Sequence, residues 1–144
     1  MLLEKGITGF FDIDVCPFGE NNYRAFKQAC YSFCMNLGNL KNVCNPDNTN
    51  YFYAHLTFNG QNLYILLNRY YPIIAFTNDL AMNQKTFVDI SENRNVFVNY
   101  DIIKADVLNS PFTCSEHNLS KAELKQISYW NPTTIGNIIF NEWD

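Results

Sequence analysis

The chain has 144 residues, 47% of them apolar and 16% aromatic, while charged residues reach only 17% against a typical quarter. That length suits a single domain spanning residues 1–144, and the apolar share is too high for a disordered chain. With a net charge of −4 and ten scattered basic residues there is no Lys/Arg stripe to neutralise phosphates, so direct nucleic-acid binding is not expected.

The acids Glu4, Asp12 and Asp14 interrupt the apolar stretch that a secretory signal requires. The longest apolar run, YYPIIAF, falls far short of the ~20 residues of a membrane span. A cytoplasmic protein without membrane contact is therefore expected. The five cysteines (Cys16, Cys30, Cys34, Cys44, Cys114) are odd in number and irregular in spacing, unlike a disulfide framework. Asparagine occupies 21 positions. Like Tyr, Phe, Ile and Lys it is encoded by AT-rich codons, so its abundance reads as genome composition and no single asparagine is given weight.

In chain order, ITGFFDIDV (7–15) is β-branched and aromatic and predicts a first strand, broken by Pro17 and Gly19. NNYRAFKQACYSFCMNLG predicts a long amphipathic helix. Phe26, Ala29, Cys30, Phe33, Cys34 and Leu37 recur at helical spacing, with Asn21 or Asn22 as N-cap and Gly38 as the left-handed stop. In YFYAHLTF-NG-QNLYILLN, Asn59-Gly60 is the preferred type I′ hairpin turn, and a two-residue loop fixes the register. Phe52, Ala54, Leu56, Leu63, Ile65 and Leu67 then share an apolar face. Tyr51, Tyr53, His55, Thr57, Asn62, Tyr64, Leu66 and Asn68 share the other.

PIIAFT (72–77) adds a strand, TFVDI a short one, and VFVNYDI another, with Val96, Val98, Tyr100 and Ile102 alternating against Asn99 and Asp101. Ser120-x-x-Glu123 is a capping box opening a helix that Asn131-Pro132 should stop. In TTIGNIIFNEW the spacing of Ile135, Ile138, Ile139 and Trp143 fits a short final helix capped by Thr134. Its β-branched content and Gly136 fit a strand. The expected fold is α+β: a mainly antiparallel sheet of five to six strands, a long amphipathic helix on one face, and C-terminal helical segments.

Chemistry is sparse. Cys30 and Cys34 lie in the apolar stripe, where cysteine packs as a small hydrophobe, and Cys114-x-x-His117 lacks partner ligands, so no metal is expected. Asp12 and Asp14 share a strand face, the arrangement of a solvated edge as much as of paired carboxylates. Nucleotide-binding glycine patterns, H-E-x-x-H and G-x-S-x-G are all missing from the sequence, and no cofactor or catalytic set is expected. What stands out is surface: Tyr51, Tyr53, His55 and Tyr64 group on the second hairpin face, and tyrosine is enriched in interface hot spots. The competing use of that face is cover for Trp130 and Trp143.

The closing residues carry one resemblance. Trp130, Pro132, Thr134, Gly136, Phe140, Asn141, Trp143 and Asp144 form a Trp-x-Pro-x-Thr, Gly, Phe-Asn-x-Trp-Asp pattern. It resembles the ends of small immunity proteins from bacterial polymorphic-toxin systems. The resemblance implies a cytoplasmic protein that binds a cognate toxin domain and blocks it, without catalysis of its own. Residue by residue, the closing segment reads as a lid, with Pro132 and Gly136 setting its direction and Trp130, Ile139, Phe140 and Trp143 closing the core. Glu142 and Asp144 then form an acidic corner for a basic partner. The expected partner surface is thus Tyr51, Tyr53, His55, Tyr64, Glu142 and Asp144. A small enzyme or small-ligand-binding domain centred on His55 is the alternative.

Overall fold

A computed structural model describes residues 1–10, 19–113 and 117–143. Asp12, Asp14, Cys16, Cys114, Asp144 and the greater part of the strand expected over 7–15 lie outside the described residues. At the near end of that stretch the expectation is overturned: residues 5–9 turn rather than extend, with Gly6 at φ 88° and Gly9 at φ 85°.

The sheet grows outward from the hairpin. β2 (Tyr51–Phe58) and β3 (Gln61–Asn68) are joined by Asn59 at φ 53° and Gly60 at φ 76°, the two left-handed residues a type I′ turn demands. Their register runs from Phe58 opposite Gln61 to Tyr51 opposite Asn68 with no slip, as the turn predicts. β4 (Ile73–Thr77) continues the meander. Its outer edge is shared by two short strands, β5 (Phe87–Val88) antiparallel and β6 (Asp101–Ile102) parallel, which completes a six-stranded sheet.

Two departures from expectation have local causes. β1 (Gly38–Cys44) pairs antiparallel with β2 where no strand was expected, because a bulge between Leu40 and Asn42 breaks its side-chain alternation. Gly38 therefore starts a strand instead of stopping a helix. A Cβ there would lie 1.9 Å from the Thr57 carbonyl oxygen, so the close approach requires glycine. Asn36, at φ 65°, supplies the left-handed residue after the helix. The second departure is VFVNYDI. Its first part is a 3-10 turn, Arg94–Phe97, entered through Asn93 at φ 52°. Phe97 is buried against Phe33 and Phe76, and Val98 is 81% exposed, the inverse of the expected alternation.

On the first face, Phe52, Ala54, Leu56, Leu63, Ile65 and Leu67 are all buried, as the register predicts. They pack against Phe26, Cys30, Phe33 and Cys34 of α1 (Tyr23–Cys34), whose N-cap is the Asn22 side chain. Each large side chain so buried stabilises the fold by roughly 1.5–3 kcal/mol. At 12 residues, α1 spans about 18 Å and is not the long helix expected.

The second face is half roofed. Tyr51, Leu66, Ala75 and Phe87 pack against Ile135, Ile138 and Ile139 of α4 (Ile135–Ile139), together with Phe140 and Trp143. The final segment is thus a short helix capped by Thr134, and it acts as a lid. Gly136 does more than aim it: a Cβ there would meet the Phe87 ring at 2.2 Å. α2 (Ala105–Leu108) and α3 (Lys121–Trp130) flank the lid.

Polar side chains tie these parts together. Glu123, fully buried, completes the Ser120 capping box and also accepts from the Gly6 and Thr8 amides and the Thr8 hydroxyl. Asn50 and Asn68 each donate to the carbonyls of Ile7 and Ile139. Asn141 donates to those of Thr8 and Ile138. The N-terminal turn and the lid are therefore pinned to the sheet through buried amides. Buried backbone groups need partners of this kind wherever no ladder reaches them.

Candidate binding surface on the open half of the sheet

Beyond the lid, the second face stays open. Partners across an antiparallel ladder point the same way, so Cys44, Asn42 and Asn39 of β1 join Tyr53, His55 and Thr57 of β2. Asn62 and Tyr64 of β3 continue the same rows. None of these eight side chains carries a formal charge when His55 is neutral. Tyr53, His55 and Tyr64 are half-buried, and Asn39, Asn42 and Asn62 are exposed.

The aromatic members lock one another. His55 stacks on Tyr64 with centroids 4.6 Å apart and planes at 12°. Tyr53 meets Tyr64 edge-on at 6.1 Å and Tyr51 at 6.3 Å. A 3.0 Å hydrogen bond joins His55 Nε2 to Asn62 Oδ1, which makes Nε2 the donor. Asn42 donates to the Cys44 sulfur at 3.4 Å. A hydrogen bond to Cys44, then burial and the nearness of Cys44 and Tyr64, which gain negative charge only in alkali, push the Tyr53 phenol up to about 12. It stays protonated at physiological pH and can donate a hydrogen bond.

Three of the six expected partner residues, Tyr53, His55 and Tyr64, are therefore together and accessible. Tyr51 is not: it is 2% exposed beneath the lid, edge-on to Phe140. Its hydroxyl donates to Glu142 Oε1. Glu142 does not form an acidic corner either. Its side chain is 10% exposed and ion-paired with Lys85, whose own side chain is fully buried. The Lys85 ammonium also lies 5.4 Å from the centre of the Tyr51 ring. Burial pushes Lys85 down, with Glu142 pulling the other way, and burial followed by the Glu142 charge drives the Tyr51 phenol well above 10. Asp144 lies outside the described residues.

Nothing local in NQKTFVDI marks Lys85 as the partner of Glu142, because the pair is brought together by the packing of the lid.

Elsewhere the chemistry is structural. Cys30 and Cys34 are core residues, and burial raises both thiols, so neither favours the reactive thiolate. His117 Nδ1 accepts from the Leu119 amide at 3.0 Å. A cleft of about 450 Å3 opens beside the 45–50 loop, bordered by Glu20, Asp47, Arg69 and Trp143, and it does not include His55. Arg69 is engaged there by Asn45 Oδ1 at 2.7 Å, the Pro46 carbonyl at 2.8 Å and the Thr49 carbonyl, while its guanidinium covers Phe52 at 4.7 Å. It holds the loop. Among the described residues, no three His, Cys, Asp or Glu side chains gather as a metal site. Nor is any helix there long and apolar enough to cross a membrane.

Comparison of the chain with protein-family models, with curated proteins and with solved structures returns no match.

Proposed function

We propose that the protein is a non-enzymatic protein-binding module: a cytoplasmic immunity protein that binds and neutralises a cognate bacterial toxin through the open half of the second sheet face. One observation carries this reading. The lid stops between Tyr51 and Tyr53, leaving a preorganised, uncharged aromatic cluster half in solvent. Interface cores are depleted of charge and rich in tyrosine, and side chains already held by their neighbours lose less entropy on binding. The closing Trp-x-Pro-x-Thr pattern, with its resemblance to immunity proteins, points the same way. His55 is hydrogen-bonded to an amide, and among the described residues no second titratable group stands within hydrogen-bond reach of its ring nitrogens, as acid–base catalysis requires.

The test is co-expression with a toxin-like gene neighbouring the native locus, followed by calorimetry on the purified complex. Tyr53→Ala and Tyr64→Ala should each weaken binding at least 10-fold, about 1.4 kcal/mol, while shifting the melting temperature by only a few degrees. Recovery of no complex refutes the function. A complex whose affinity ignores both substitutions refutes the surface.

A further inference from the structure

The opposite side of the sheet carries a second arrangement, which does not rest on the preceding proposal. Residues 21–46 hold three cations, Arg24, Lys27 and Lys41, and no Asp or Glu, so the remainder of the chain carries −7 against −4 for the whole. α1 buries Phe26, Cys30 and Phe33 and turns Arg24, Lys27 and Tyr31 outward on one stripe, with Met35 exposed at its C-cap. The 3-10 turn packs against the same helix: Phe97 meets Phe33 at 5.6 Å, and Asn93 donates to the Phe33 carbonyl at 3.1 Å. It sets the exposed Arg94 and Val98 beside the C-terminal half of α1, with Glu92 just before it.

Two features set this layer apart. Tyr31 at 56%, Met35 at 67% and Val98 at 81% are three of the seven large apolar side chains exposed among the described residues. No ion pair engages Arg24, Lys27 or Arg94 among those residues either. Arg, Tyr and Met are the side chains enriched in interface cores.

We propose that the outer face of α1 and the adjoining turn is a second docking surface, and that its partner is an acidic protein segment bearing apolar anchors. Charge selects the partner. A face whose Arg24, Lys27, Arg94 and Glu92 sum to +2, on a chain whose other residues sum to −6, orients an acidic surface toward α1 and repels it elsewhere. The apolar side chains then supply contact area that charge alone does not use. A nucleic acid fits less well, because few cations are available to neutralise phosphates and the surrounding −6 opposes an extended polyanion.

The probe is an 18-residue amphipathic peptide of glutamate and leucine, titrated into the 15N-labelled protein at low salt. Poly-L-glutamate, a DNA duplex and phosphatidylserine vesicles are titrated in parallel. The expected result is micromolar binding of the peptide, with amide shifts confined to α1 and residues 94–98. Arg24→Glu with Lys27→Glu should weaken it at least 10-fold, and Tyr31→Ala with Met35→Ala at least 5-fold. Tyr53→Ala should leave it unchanged. All of these side chains except Tyr53 are exposed, so melting temperatures should hold within a few degrees. The proposal is overturned if the peptide does not bind, if shifts fall outside this layer, or if poly-L-glutamate binds equally and Tyr31 and Met35 are indifferent. Tighter binding of DNA or vesicles overturns it as well, by assigning the face to a different class of partner.

Discussion

Glu123→Gln tests whether one buried carboxylate closes the fold. Oε1 accepts from the Gly6 amide at 2.8 Å and from the Ser120 amide and hydroxyl at 3.1 Å each. Oε2 accepts from the Thr8 amide at 3.1 Å and its hydroxyl at 2.6 Å. Every neighbour is a donor. Glutamine has the same shape but one acceptor atom, so its NH2 must face at least one backbone N–H. If the amide oxygen replaces Oε1, the Thr8 hydroxyl can turn to accept, but the Thr8 N–H is left unpaired. A buried unpaired N–H costs about 1–3 kcal/mol, and the surviving bonds fall from charged to neutral strength, about 1 kcal/mol less apiece. Relief of the carboxylate's desolvation offsets part of this. We expect a net loss of about 3 kcal/mol.

Ser120→Ala supplies the scale. It removes the local cap, for which about 1 kcal/mol is typical, and one hydroxyl donor to Oε1, but leaves the bonds to Gly6 and Thr8 in place. With a urea slope of about 1.5–2 kcal/mol/M, the glutamine variant should lower the unfolding midpoint by about 1.5–2 M and the alanine variant by about 0.5 M. Amide exchange at Gly6 and Thr8 should accelerate in the first variant and barely in the second. Equal midpoint shifts would refute the reasoning, because Glu123 would then be a helix cap with no hold on the N-terminal turn.

Trp143→Ala should destabilise by roughly 3–5 kcal/mol and lower the melting temperature by about 10 °C or more, since the indole is buried, lies parallel to Trp130 at 6.5 Å and donates to Asn83 at 2.8 Å. An unchanged melting curve would make the lid peripheral. Tyr51 and Tyr53 predict an alkaline limit. Both phenols are raised above 10 in the folded state, so their contribution is complete below pH 10 and is lost as pH climbs through the folded values. Lys85, held below its usual value by burial, acts in the opposite sense and in a lower window, its penalty relieved as pH rises toward the ordinary lysine value of 10.5. Tyr51→Phe should therefore cost about 1 kcal/mol at pH 7, through the lost hydrogen bond to Glu142, yet flatten the fall in urea midpoint between pH 10 and 11.5. Identical slopes would show that Tyr51 does not titrate with unfolding.

What could be read in advance was local. Asn59-Gly60 encodes its own turn, and a two-residue loop transmits register along eight paired positions, so the two faces of the hairpin followed. The helical stripe of Phe26, Cys30, Phe33 and Cys34 and the Ser120/Glu123 box also lie within a few residues of one another. Errors arose where distant parts decide. The Glu123 capping box was legible, but its second set of donors lies 115–117 residues away at Gly6 and Thr8. Glu142 reads as a solvated acid until Lys85 is folded beneath the lid. Val96, Val98 and Tyr100 alternate like a strand, yet Asn93 turns the chain and burial of Phe97 outweighs the pattern. β1 escaped notice because its bulge erased the period. Codon bias accounts for the abundance of asparagine but not for its placement. Asn50, Asn68, Asn137 and Asn141 are nonetheless buried and hydrogen-bonded to backbone. Composition says how common a residue is and nothing about where a backbone group lacks a partner.

The boundary of the lid also constrains how a partner can bind. Tyr51 and Tyr53 point the same way from one strand and touch at 6.3 Å, but one is sealed by Phe140 and the other meets water. The aromatic row of Tyr51, Tyr53, Tyr64 and His55 is thus continuous from core to surface. A protein docking on its open end would extend a packing arrangement the lid has already begun, with no new cavity to form. On the proposed reading, truncating Tyr51 should cost fold stability, whereas truncating Tyr53 or Tyr64 should cost affinity for the partner. A change from one consequence to the other within two residues would distinguish a partner surface from an incompletely covered core.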